Sequence, residues 1–369
     1  MKTYTIEAES DSVLFPKYDT RTEVFKWSYN GNDNQLPSII QHLANESVTT
    51  KGCIKKITSA IFGKGFVNGR TIVNKKGQTL NAVGLHLAKE LATQNNAFLH
   101  IRFDANIEIS SIDVLPCSKV RIGSSDDAAY SGMFAVADWS SKRISSSDIM
   151  KVNRFNLNED VIKAQIKAAG GIGAYKGQIV HISKDHSVKY APSDLYPVLE
   201  DAESEKLSKI YTRNSSKFGF MNAKAVLVGK MTQEEESSFK DDLSGMQGAE
   251  NASNLLVFQA TNPVQDLEKQ MIVKDLASNP SDKILQYTDS KVEANICKAF
   301  DVPVSLISGR SEGIFGNSGE LLTVMKRQLY DDKETERMLI EETLTQIIIK
   351  SAFKSKINEA KIIDPWEKS

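Results

Sequence analysis

Residues 302–322 read VPVSLISGRSEGIFGNSGELL. The segments on either side are patterned as helices. The strip between them is built of Gly, Ser and charged residues, with Ile314 and Phe315 as its single apolar pair. A helix–helix turn needs far fewer residues. A surface loop accounts for the glycines and serines, yet it leaves two hydrophobes in water for no reason. What the strip touches therefore decides what the chain does.

Working outward, Asn279 and Pro280 form a cap and first-turn signal for a helix. Its stripe is Ile284, Tyr287, Val292, Ile296 and Ala299, and Pro303 ends it. On the other side, a helix from Ser318 to about Phe353 exceeds ordinary globular length. Its middle, DDKETER, is charged and both ends are apolar, so it is one bent helix or two. Residues 220–274 read as a small strand–helix–strand unit: AKAVLVG, then TQEEESSFKDDL opened by a Thr232/Glu235 capping box, then LLVFQA. Before it, residues 194–217 are patterned as one long helix with acids early (Glu200, Asp201, Glu203, Glu205) and bases late (Lys206, Lys209, Arg213, Lys217). That order complements the helix dipole. Its apolar stripe of Leu195, Leu199, Ala202 and Ile210 is thin, so it calls for neighbours, including ones from other subunits.

The first 190 residues read as a mixed body. Residues 1–29 alternate loosely, as one or two strands or an extended arm. A helix pair follows over 38–62, with Pro37 near its start, a break at 45–47, and Gly63 and Gly65 at its end. Residues 63–78 resemble strand–turn–strand. A helix over 79–93 presents Leu80, Val83, Leu87 and Leu91 on one face, with Thr79 as cap. AFLHIRFD and IEISSIDVLP alternate as paired strands around Asp104–Asn106, and further strands are expected over 119–123 and 133–138. A polar loop spans 140–147, a short helix spans 160–169 and is stopped by Gly170 and Gly171, and GQIVHIS is a short strand.

The chain has 369 residues, 40% of them apolar, with 46 basic and 47 acidic residues. That apolar content builds real cores, and the balanced charge argues against gripping nucleic acid by bulk attraction. Cys53, Cys117 and Cys297 are scattered and odd in number, with neither disulfide nor metal spacing. The start carries no apolar signal core and no apolar run nears the ~18 residues of a span, so a soluble intracellular protein is expected. No cofactor or metal is expected either. The GK of IFGKGF lacks the rest of a P-loop, and GGIGAYKG reads as a helix stop and turn. His181 and His186 have no companion ligands, and no GxSxG elbow occurs.

The segment CKAFDVPVSLISGRSEGIFGNSGELLTVMKRQLYDDKETERMLIEETLTQII resembles the C-terminal signature of tailed-bacteriophage portal proteins. The upstream YKGQIVHIS and YAPSDLYPVLEDAESEKLSKIYTRNSSKFGFMNAKAVLVGK fit the same family, and WSYNGNDNQLPSII with CIKKITSAIFGKGF resembles the opening of its short, Bacteroides-type members. The resemblance implies an α+β portal fold: wing over 1–190, stem helix over 191–217, clip over 218–278, second stem helix over 279–303, tunnel loop over 304–319, and wing helix with tail over 320–369. The crown of many portals is expected to be short or absent. The resemblance further implies a non-enzymatic ring, dodecameric by expectation, at the capsid vertex of a virion. Double-stranded DNA would pass through it. Its partners would be copies of itself, the terminase large subunit, the major capsid or scaffolding protein and a head–tail adaptor, with no membrane. Arg310, Ser311, Ile314, Phe315, Asn317 and Ser318 would line the channel. Glu235, Lys240, Asp241 and Asp242 of the clip would meet the terminase and neck proteins. The alternative within the same class is another head–tail connector or minor capsid protein; an enzyme with an unrecognised site is a third reading.

Overall fold

The structure, a computed structural model, describes residues 23–24, 27–123, 133–141, 144–218, 224–228, 255–259, 271–275, 282–308 and 319–366. The chain divides into two compact units, one of residues 1–202 with 293–369 and one of residues 203–292.

The first unit is built on a sheet whose strand order is β4-β3-β8-β7-β6-β5. These strands are β3 (Asn96–Phe103), β4 (Ile109–Leu115), β5 (Val120–Ile122), β6 (Met133–Val136), β7 (Met150–Arg154) and β8 (Gln178–Ser183). Neighbours are antiparallel except β7 and β8, which run parallel. A further pair, β1 (Glu23–Val24) and β2 (Trp27–Ser28), forms a short ribbon. Helices α1 (Leu36–Glu46), α2 (Val48–Phe62) and α3 (Leu80–Gln94) pack on one another, and α3 lies against β3 and β4. Ser47 ends α1 and caps α2, its hydroxyl accepting from the Thr50 amide at 3.0 Å, so the break expected at 45–47 falls on the residue best suited to restart a helix. Leu80, Val83, Leu87 and Leu91 are all buried on α3, and the Thr79 hydroxyl caps it. Beyond β3, Phe98, Val120, Ile122, Phe134, Val152, Ile179 and Tyr190 form one apolar cluster.

Residues 63–78 differ from the expected strand–turn–strand. They form successive turns with single bridges, Phe66 to Ile362 and Ile72 to Thr79. The cause is Asn81, whose side chain accepts from the Phe66 amide at 2.8 Å and leaves no room for a Cβ at Gly69. Gly84 on α3 likewise makes the seat of the Phe66 ring, a position where a Cβ would lie 2.1 Å from a ring carbon. The bridge at Phe66 belongs to a longer seam: the amides of Lys64 and Val67 donate to the carbonyls of Ile363 and Lys361, and the Ile363 amide donates back to Gly65.

Strand β7 was not expected from the sequence. In MKVNR only Val152 is buried, so its apolar signal is one residue deep and its place is set by β6 and β8. Helix α4 (Glu159–Ala168) is capped by Asn158 and stopped where Gly170 and Gly171 take positive φ. The helix expected over 194–217 begins later. A 3-10 turn, Tyr196–Val198, precedes α5 (Leu199–Phe218), because Pro197 carries no amide proton to close an α-turn.

In the second unit, β9 (Lys224–Val228) is central, parallel to β10 (Leu255–Gln259) and antiparallel to β11 (Met271–Asp275). The parallel pair fits the strand–helix–strand reading, and β11 adds a third strand that reading lacked. The TQEEESSFKDDL segment lies outside the described residues.

Helix α6 (Asp282–Ala299) returns the chain to the first unit. It stops four residues before Pro303, at a turn where Asp301 takes a φ of 51°. Residues Val304–Ser308, placed in the loop by the sequence reading, form a short helix, α7, with Leu306 buried. The long C-terminal helix is two: α8 (Gly319–Asp332) and α9 (Glu334–Ile349), broken at Lys333. Phe353 lies past the end of α9, in turns that lead to the seam with residues 64–67.

Candidate functional site

Every side chain expected to line a channel (Arg310, Ser311, Ile314, Phe315, Asn317, Ser318) and every one expected to dock partners (Glu235, Lys240, Asp241, Asp242) lies outside the described residues. The mountings of both segments are described. They show how the first unit holds the two helices that lead to residues 203–292 and the two that flank residues 309–318.

The root of α5 is fastened by three residues at the junction of α3 and β3, Thr93, Asn95 and Asn96. Thr93 receives the Ser193 hydroxyl on its carbonyl at 2.6 Å. Asn95, in the left-handed conformation that closes α3, donates to the Pro192 carbonyl and to Asp194 Oδ1, both at 2.7 Å. Asn96 donates to the Ala191 carbonyl at 2.7 Å and accepts from the Ala191 amide at 3.1 Å. Lys184 then bridges Asp194 at 3.3 Å and Glu336 of α9 at 3.2 Å. Leu195, Leu199 and Ala202 are buried, so the first turn of α5 is sunk in the body. Farther along, Leu207 and Ile210 are 55% and 42% exposed, which matches the expected thin stripe.

The root of α6 is held mainly by apolar burial. Ile296, Cys297, Phe300 and Val302 are all buried, and Cys297 lies 3.9 Å, sulfur to sulfur, from Cys53 of α2. Asn295 of α6 donates to Asp201 of α5 at 3.2 Å, so the two roots are tied side by side. The 309–318 segment leaves from α7, where Ile307 lies against Gly52 of α2. It returns at α8, and the Ser305 hydroxyl of α7 contacts Met325 Sδ of α8 at 3.1 Å.

The break between α8 and α9 is organised by Arg337. Its guanidinium lies 3.6 Å from the centroid of the Tyr330 ring and donates to the Tyr330 carbonyl, and to the Ala60 carbonyl at 3.2 Å. Lys64, whose amide would have closed the next helical turn on Ala60, bonds Ile363 instead. Arg337 thus caps the C-terminus of α2, where a cation is favoured.

A second buried cation, Arg121, has no carboxylate partner among the described residues. It donates to the carbonyls of Cys117, Val120 and Asn34 at 3.0, 2.7 and 2.7 Å and to the Asn34 side chain, beneath the Trp139 ring at 5.2 Å. Burial lowers its pKa to about 10.

One cleft, about 520 Å³, went unnoticed in the sequence. It gathers Arg154, His181, His186 and Lys189 around Phe134 and Ile179, residues drawn from β6, β7, β8 and the turn after β8. Only the β7–β8 pairing joins them, and β7 has almost no signal. His181 is stacked on Phe98 with centroids 4.7 Å apart and bonded to Asn96 at 3.1 Å. Burial, followed by the charges of His186 and Arg154, lowers its pKa to about 3. It is a satisfied core histidine, neutral at ordinary pH. Its polar lining is Arg154, His181, His186, Ser187 and Lys189, with no carboxylate or thiol among the described residues.

No protein-family model and no curated protein matches the chain. Solved structures do. A chain in the virion of the native gene transfer agent particle overlaps it at a TM-score of 0.50 with 13% identity, over 86% of this chain and 81% of that one. A chain of the neck of the empty gene transfer agent particle gives 0.49 with 13% identity, over 84% and 80%. An HK97-family phage portal protein from Corynebacterium diphtheriae gives 0.40 with 9% identity, over 77% and 83%. The latter two overlaps are too loose to bear weight. The first covers most of both chains. In its fold, the chain is similar to a chain of the gene transfer agent virion.

Proposed function

We propose that the chain assembles into a closed ring that serves as the portal, or head–tail connector, of a phage-type virion, with double-stranded DNA passing through its centre. The observation that carries this reading is the insertion. Residues 203–292 are reached along α5 and left along α6, and the roots of these helices are fastened to the sheet body and to each other. Such mounting suits a part that must transmit load between a capsid-embedded body and whatever docks outside. Exposed Leu207 and Ile210 on α5 supply moderate apolar patches of the kind a head-to-tail ring contact buries.

On this reading, residues 218–278 meet the terminase large subunit during packaging and the head–tail adaptor afterwards, through Glu235, Lys240, Asp241 and Asp242. Residues 309–318 line the DNA channel, with Ile314 and Phe315 packing on the neighbouring loop and Arg310, Ser311, Asn317 and Ser318 touching the phosphates. The first unit contacts the major capsid or scaffolding protein. The chain acts without cofactor and without chemistry of its own.

Native mass and negative-stain imaging of the purified chain test the reading. A particle of about twelve 40.9 kDa subunits with a central opening is expected. A monomer or solid particle at all salt and protein concentrations refutes it. Deleting residues 220–274 is expected to abolish terminase capture; capture that survives the deletion points to another connector role.

A further inference from the structure

A groove of about 430 Å³ opens between α2, α7 and α8. Val48, Ile307 and Trp366 give it apolar walls, and Lys55, Lys56 and Lys326 line it. Val48 is 63% exposed, an unusual state for a valine at the start of a helix whose other apolar residues are mostly buried. Among the described residues, none of the three lysines has an ion-pair partner and no carboxylate lines the groove. Three unpaired cations around an apolar floor ask for an occupant that is apolar and acidic.

The same chain carries such a surface elsewhere. On α9, Thr335, Met338, Glu342, Gln346 and Ile349 are exposed and recur at three- and four-residue spacing, so they form one stripe. Met338 and Ile349 are 50% and 57% exposed, and roughly 16 Å of helix separates them. Glu334, exposed in the first turn, and Glu342 supply the negative charge, and neither has an ion-pair partner among the described residues. The opposite face of α9, with Ile340, Leu344, Ile347 and Ile348, is buried in its own body, where the helix packs on α2, α3 and α8. The outer stripe therefore faces away from the helices that form the groove, and a chain cannot fill its own groove with its own α9.

We propose that the groove of one copy receives the outer stripe of α9 from a second copy. The contact is head-to-tail: each chain offers one groove and one stripe, and such contacts propagate until they close a ring. The inference rests on the ring reading above and assigns two of the surfaces that build the ring.

The test uses full-length chains. One variant reverses the groove (Lys55→Glu, Lys56→Glu, Lys326→Glu) and another reverses the stripe (Glu334→Lys, Glu342→Lys). All substituted side chains are exposed or half-buried, and circular dichroism with thermal melting checks that each variant folds. Wild-type chain is expected to form rings, and each variant is expected to need at least tenfold more protein for half-assembly. Mixing the two variants is expected to restore rings in which they alternate, because the reversed groove of one matches the reversed stripe of the other and the remaining groove and stripe are unaltered. Combining all five substitutions in one chain is expected to restore rings. Rings from both single-surface variants at the wild-type concentration overturn this contact and leave the ring reading standing. A wild-type chain that never assembles removes both.

Discussion

Replacing Arg337 by Met tests the account of the α8–α9 break. The guanidinium makes two hydrogen bonds to main-chain carbonyls, those of Ala60 and Tyr330, and stacks on the Tyr330 ring. Hydrogen bonds to a charged group contribute ~1.5–3 kcal/mol each, and a partly desolvated cation–π contact adds ~0.5–2. Against this, methionine fills most of the same volume and spares the fold a buried charge, which offsets several kcal/mol. A net loss of about 2–4 kcal/mol follows, dominated by the stranded Ala60 carbonyl. At about 2–4 °C per kcal/mol for a body of this size, the midpoint falls by roughly 5–15 °C in differential scanning calorimetry. Arg337→Lys keeps the charge but lacks the fork that reaches both carbonyls, so it recovers less than half of the loss. A Met variant melting within about 1 °C of wild type refutes the capping role.

Other substitutions follow from the same geometry. Gly177→Ala places a Cβ 2.1 Å from the Ile101 carbonyl at a φ of 83°, so it is expected to cost more than ~2 kcal/mol and weaken the β3–β8 pairing, read as faster amide exchange in β3. Leu91→Ala on α3 removes a fully buried side chain and is expected to cost ~2–5 kcal/mol in urea unfolding with an unchanged slope. Asn96→Ala breaks the bonds to the Ala191 carbonyl and amide at the α5 root and is expected to increase exchange at residues 190–195 more than at α3. His181 has a folded pKa of about 3 against an ordinary 6.5. The unfolded chain takes up that proton first, so stability is unaffected above pH ~6.5 and falls by about 1.4 kcal/mol per unit as pH drops toward 3. His181→Gln is expected to flatten that slope by about one proton, measured by denaturant midpoints from pH 6.5 to 4.

The elements legible in the sequence were those that carry their own punctuation. Ser47 and Thr79 are caps, Gly63 and Gly170 are stops, and the leucines of α3 repeat at helical spacing, so local chemistry sets them. Elements whose place is decided by neighbours were not legible. Strand β7 has one buried residue, and β11 is a short run that only the β9 edge makes a strand. Residues 65–78 have strand-like valine and isoleucine, but Asn81, fixed on α3, pulls them into turns. The order of helix, inserted unit, helix and broken helix was readable because each boundary holds a Pro, a Gly or a charge cluster, whereas the short helix α7 was read as loop. The basic cleft was not, because it draws on β6, β7, β8 and the turn after β8, which only the pairing of β7 with β8 brings together. The groove and the α9 stripe were hidden too, because which lysines and glutamates lack partners is a property of packing.

The seam between residues 64–67 and 361–363 constrains how the protein is made. A ribosome adding about 5–20 residues per second reaches Ile362 roughly 15–60 s after Phe66. Until then the end of α2 lacks Arg337, Ile362 and Ile363, its apolar surface is uncovered, and the nascent chain has already presented residues 203–292. The inserted unit has time to form its own sheet before the body that carries it is complete. In the proposed ring, a contact through α9 would wait until this seam has closed, so that a subunit would join only once it is whole.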